Sequence, residues 1–195
     1  MIEIILSVFS VCISHVFSLV KKDSANHIEN RNGLGCFFYI YGEIQTPFML
    51  IETLISIFDR DLTKLKTEIE LFEDETSIWT IEKNIANSAG NLCLHLTGNL
   101  LAFIGAQLGN TGYVRNRDLE FSAKDIPKAE LVKQIEETMI VIHQTLNKLT
   151  EDDLNKDYPV VVFAEKMTIG YFLVHLATHL GYHLGQINYH RRLLG

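Results

Sequence analysis

The sequence predicts an all-α fold: a four-helix bundle with a long crossover link between its second and third helices. Three observations carry this. Four segments of about 20 to 26 residues repeat their apolar residues at three- and four-residue spacing. At 1.5 Å per residue each spans ~30–39 Å, the length of a bundle helix. Between them lie turn-forming stretches, and hydrophobic residues make up 47% of the 195, enough to fill one core.

The chain opens on an apolar run from Ile2 to Val20, followed by Lys21 and Lys22. That length could span a bilayer or serve as a signal. Glu3 stands where a basic region belongs, no small-residue cleavage site follows, and His15 with four serines dilutes the run. The expected location is therefore cytoplasmic, with membrane anchoring through residues 2–20 as the alternative. Residues 24–48 show no clean period. Asn30-Arg31-Asn32-Gly33 is loop chemistry, and Phe37, Phe38, Tyr39 and Tyr41 have some strand character. Residues 1–48 are read as an N-terminal extension or an over-long start, and 49–195 as the domain.

The first helix runs from about 49 to 72. Leu50, Leu54, Phe58, Leu65, Ile69 and Phe72 share one face, with Glu52, Asp59, Lys66 and Glu70 on the other. A polar connector, Asp74 to Glu82, carries Trp79. The second helix, about Ser88 to Leu108, turns Leu92, Leu96, Leu100 and Phe103 inward and stops at Gly109-Asn110-Thr111-Gly112. A long link follows, Tyr113 to Ile126, whose Arg115 and Arg117 read as solvated loop charges, with anion or substrate contacts as the alternative. The third helix starts near Pro127, with Leu131, Ile135, Met139, Ile142, Leu146 and Leu149 inward. Thr150-Glu151-Asp152-Asp153 resembles a capping box for a short helical turn. Tyr158 to Phe163 reads as extended or strand-like, although Pro159 argues against a central strand. The last helix spans about Thr168 to Leu193.

Composition excludes several classes. With 24 acidic against 17 basic residues the net charge is −7, and no basic stripe suits nucleic acid. Three cysteines without a CxxC pair give neither a disulfide framework nor a thiolate zinc site, and Cys93 reads as a buried thiol. There is no Glu-x-x-His, HExxH, P-loop or GxSxG.

The unusual number is histidine. Of eight, four fall in the last 21 residues, and His175, His179 and His183 are spaced by four. Steps of four advance a helix by only ~40°, so the three form one inclined row. His179 and His183 face the interior from the shoulder of the apolar stripe. His175 leans toward solvent, and His190 lies two turns below His183. Two imidazoles one turn apart can converge on a single ion. His95, just off the stripe of the second helix, supplies a third candidate ligand. The alternative is ordinary: three half-buried histidines, each hydrogen-bonded to a neighbour.

The stretches Ser88-Ala-Gly-Asn-Leu-Cys-Leu-His95-Leu-x-Gly-Asn99, His179-x-x-x-His183-x-Gly-Gln186 and Arg115-x-Arg-x-x-Glu-Phe-Ser122 resemble the DinB/YfiT-like superfamily of metal-dependent enzymes. The resemblance covers about Met49 to Leu194. It implies a four-helix bundle holding one divalent ion, nickel or zinc foremost, on His95, His179 and His183. It also implies thiol S-transferases acting with low-molecular-weight thiols, or metal-dependent hydrolases, on small-molecule substrates, and homodimers. Asn99, Glu120, Tyr182 and Gln186 are candidate catalytic helpers around such an ion. The competing expectation is a non-catalytic helical bundle, a ligand-binding or dimerisation module with structural histidines.

Overall fold

A computed structural model describes residues 49–82 and 84–194. The expectations for residues 1–48, including the apolar run and the aromatic cluster, lie outside the described residues. The described chain is all-α. Helix α1 (Leu50–Glu70) is followed by a 3₁₀ turn at Glu75–Trp79. Helix α2 (Ala89–Leu100) passes into a π-helical turn, Leu101–Ala106. Then come a short helix α3 (Arg117–Ser122), α4 (Lys128–Leu146), a 3₁₀ turn at Asp153–Asn155 and α5 (Ile169–Leu194).

Four long helices enclose the core. Helix α1 packs on α4 and α5, and α2 packs on the same two helices. The faces follow the apolar period. Leu54, Phe58, Leu65 and Ile69 of α1, Leu131, Ile135 and Ile142 of α4, and Phe172, Leu173, Leu176, Leu180 and Ile187 of α5 are all buried. Helix α2 differs from the other three, because every residue from Ala89 to Leu100 is buried. The segment Ala89–Ala106 is apolar and long enough to cross a membrane by composition, and it is mostly enclosed by its neighbours. A helix with no solvent face is the central one. Any histidine on it therefore sits inside the protein.

Helix starts follow side-chain chemistry. Ser88 caps α2 by accepting from the Asn91 amide at 3.1 Å. Thr150 and Asp153 form the expected reciprocal box: the Thr150 N–H donates to Asp153 Oδ2 at 2.8 Å, and the Asp153 N–H donates to Thr150 Oγ1 at 3.3 Å. At the far end of α2, Asn110 takes a positive φ of 53° as the chain turns out of the helix.

Two segments take a more definite form than the periodic pattern gives. No strand is found among the described residues. Around Tyr158 there is only an isolated bridge, Asp157 with Thr168, held by Tyr158 N–H to Met167 O at 2.9 Å. Pro159 lacks the N–H that would continue a ladder. The Tyr113–Ile126 link is not wholly irregular either, since it contains α3. Asn116 caps α3 by accepting from the Leu119 N–H at 3.1 Å. A helix of six residues is too short for periodicity to reveal.

Candidate metal centre

Helices α2 and α5 face each other, and their histidines meet. His95 Nε2 and His179 Nε2 are 3.3 Å apart. The ring centroids of His95 and His183 are 5.4 Å apart, and those of His179 and His183 are 4.6 Å apart. One ligand nitrogen from each of the three lies within 4.8 Å of the others, so the three could hold a metal ion. His95 is buried, while His179 and His183 are half-buried.

Hydrogen bonds decide which nitrogen each ring turns to the centre. His95 Nδ1 lies 3.1 Å from Glu120 Oε2. Arg115 Nη2 lies 3.2 Å from the same Nδ1 but donates to Glu120 Oε2 at 2.8 Å. The carboxylate can only accept, so Nδ1 is assigned the proton and Nε2 the lone pair. His183 Nδ1 donates to Gln186 Oε1 at 2.6 Å, which leaves its Nε2 free in the same way. Partners of this kind orient the ring and raise ligand basicity in known metal sites.

Glu120 is itself held. Arg115 grips it with two parallel bonds, Nε to Oε1 at 2.7 Å and Nη2 to Oε2 at 2.8 Å. Arg115 was expected in solvent. It is instead mostly covered, over the Phe103 ring at 5.7 Å, because the link folds back onto α2. Arg117 does stay exposed, beside Phe121. Asn91 pins the fold-back: its Nδ2 donates to Glu120 O at 3.0 Å and to Ala123 O at 2.9 Å. Gly98 leaves room for the acid, since a Cβ there would collide with Glu120 Oε1. The quoted motif contained Asn91 and Gly98, but spacing alone gave them no role.

Electrostatics favour the neutral ring at His95 and His179. Burial pushes His179 down to about 4, with the neighbouring histidines adding to the shift. Burial also lowers His95, against the opposing pull of Glu120. Neutral imidazoles are the form that ligates a metal.

The donor set fits an ion. Two nitrogens about 2.0–2.1 Å from one cation at a near-tetrahedral angle lie close to the 3.3 Å seen between His95 and His179. Of the other expected residues, Asn99 is buried one turn beyond His95, and its Oδ1 has no hydrogen-bond partner among the described residues. Tyr182 is exposed, with its ring 5.1 Å from that of His183. His175 stacks on Phe172 and touches Phe163, outside the cluster of three. His190 is buried against Phe72, and His143 contacts Asp59 at 2.7 Å. Cys93 is buried and its thiol pushed up to about 12 by desolvation.

Comparison with known proteins places the chain. Residues 49–195 match the model of a family described as "Protein of unknown function (DUF1572)". The chain belongs to this family. A solved structure, described as "Crystal structure of the conserved protein of locus from Enterococcus faecalis", aligns with a TM-score of 0.61 at 14% identity. The alignment covers 75% of this chain and 97% of that one. At that identity it supports the fold alone. No curated protein matches this DUF1572 member.

Proposed function

We propose that this protein is a DinB-like metalloprotein that uses one divalent ion, zinc or nickel, for thiol S-transfer with a low-molecular-weight thiol or for hydrolysis. The carrying observation is the convergence of His95, His179 and His183, with Nδ1 of His95 and of His183 each engaged by its own acceptor. When bound by three neutral imidazoles, such an ion has open positions and lowers the pKa of a water or thiol.

The chain's own residues do the rest. Glu120 and Gln186 hold two of the three rings in one tautomer. Arg115 holds Glu120 at His95 rather than turned away. Asn99 Oδ1 is a buried acceptor one turn from His95, placed to take a hydrogen bond from a substrate N–H or O–H. Tyr182 offers a phenol on the solvent side of His183.

The test is elemental analysis of protein purified without affinity histidines or added metal. Close to one equivalent of zinc or nickel is expected, and His179→Ala is expected to lose it. A metal-free protein that cannot be loaded, or a His179→Ala variant with unchanged metal content, overturns the reading.

A further inference from the structure

A cleft of about 440 Å³ lies between the connector preceding α2 and the end of α5. Asn84, Asn87, Leu92, Gln186, His190 and Leu193 are among its walls. Its volume falls in the range of small-molecule sites. Among the described residues, none that lines it carries a fixed charge. Its apolar wall comes from Ile85, Ala86, Leu92 and Leu193, and its polar wall from three amides, one imidazole and the Tyr189 phenol.

The imidazole is the unusual part. His190 is 4% exposed, and its Nε2 lies 3.0 Å from the Thr80 carbonyl oxygen. A carbonyl only accepts, so Nε2 carries the proton and Nδ1 presents a lone pair. That Nδ1 is buried and has no partner among the described residues. Leaving such an acceptor unpaired costs on the order of what a hydrogen bond to it would recover. Burial lowers the pKa of His190, so it stays neutral at physiological pH and keeps the lone pair.

Gln186 is the second polar wall. Its Oε1 is taken by His183 Nδ1, so what it can offer the cleft is its –NH₂ group. Leu92 stands one turn before His95 on α2, and Gln186 bonds His183, so two cleft residues neighbour the histidine cluster.

We propose that this cleft binds a small uncharged molecule with an apolar body and a hydroxyl group, the hydroxyl donating to His190 Nδ1 and an acceptor on the ligand receiving the Gln186 –NH₂. The pairing fits both walls: an alcohol has one O–H to give and a lone pair to receive with, whereas a carboxylate has no proton for Nδ1. Because Gln186 also holds His183, occupancy of the cleft reaches that ring through a single side chain.

The experiment uses histidine-¹⁵N-labelled full-length protein, stripped with chelator, titrated with 3-phenylpropan-1-ol and separately with 3-phenylpropanoate. Saturable binding of the alcohol is expected. The His190 Nδ1 resonance should move in the direction of a newly accepted hydrogen bond, with a smaller shift at His183, and the acid should bind at least about tenfold more weakly. Leu193→Trp tests the location. Leu193 is 68% exposed, so the variant is expected to melt like the parent while losing alcohol affinity. Equal binding of the acid, an unmoved His190 resonance, or full affinity in Leu193→Trp overturns the proposal. Since the titration is done without metal, its outcome is independent of whether the three histidines prove to be ligands.

Discussion

At the scale of single residues, the site depends on how Glu120 is held. Its carboxylate accepts from His95 and from Nε and Nη2 of Arg115, inside a space that exists because residue 98 has no Cβ. Glu120→Gln keeps the volume but loses the charge that fixes the His95 tautomer. Metal affinity is expected to fall about 10- to 100-fold, measured by competition with a chromophoric chelator. An unchanged affinity would mean that Glu120 does not set the ring. Gly98→Ala should act in the same direction by displacing the acid, with about 1–3 kcal/mol of lost stability in chemical denaturation. Titration gives a third expectation. A histidine held at about 4 when folded and near 6.5 when unfolded contributes nothing above pH ~6.5, where both states are neutral. Below that the unfolded chain takes up a proton that the folded chain refuses. Chelator-treated protein should therefore lose melting temperature as pH falls from about 6.5 toward 4. His95 and His190, also lowered by burial, add to the loss. A melting temperature flat across that window would contradict the buried, neutral histidines.

At the scale of elements, α3 and its approach carry the second half of the site. Asn91 ties this segment to α2 by two hydrogen bonds to carbonyl groups, and its own Oδ1 accepts from Ser88 at 2.6 Å. Asn91→Ala orphans both carbonyls, at about 1–3 kcal/mol. Hydrogen exchange should quicken across residues 113–123 while α4 and α5 keep their protection. Exchange that quickens everywhere would instead indicate global loosening. These elements also show what the sequence could disclose. Period 3.6 over 20 residues located α1, α4 and α5 to within a few residues, because each has one buried face. The same arithmetic put His179 and His183 on one inward shoulder. It could not find α3, whose six residues complete less than two turns. Nor could it take Arg115 out of solvent, because the covering of that side chain depends on a fold-back that no local pattern encodes. Glu120 was legible as a polar residue in a motif; its partners were not.

At the scale of the whole molecule, the three-histidine cluster joins α2 to α5, two helices far apart in sequence. A metal bound there binds only the folded chain and must stabilise it. At free metal 100 times the dissociation constant, the gain is about 2.7 kcal/mol. A raised melting temperature that chelator reverses is the expected result. Melting indifferent to both metal and chelator would favour the alternative of a non-catalytic helical module. For that alternative the exposed row of Tyr171, Val174, Tyr182, Tyr189 and Leu193 along α5 would be the surface to examine.

The π-helical turn at Leu101–Ala106 has a consequence of register. Its i-to-i+5 bonds, Gln107 N–H to Ala102 O and Gly109 N–H to Ile104 O, hold one residue more than an α-helix would over the same rise. One extra residue turns the helix that follows by about 100°. Before the turn the helix presents His95 to α5. After it, Gly105 lies so close to α4 that a Cβ would meet Val141 Cγ1 at 2.9 Å. Helix α2 before the turn already packs on both α4 and α5, and the π turn sets which side of the segment after it meets α4. Removing one residue from 101–106 would leave the histidines in place and swing the C-terminal turn off its partner, a change of phase rather than of chemistry.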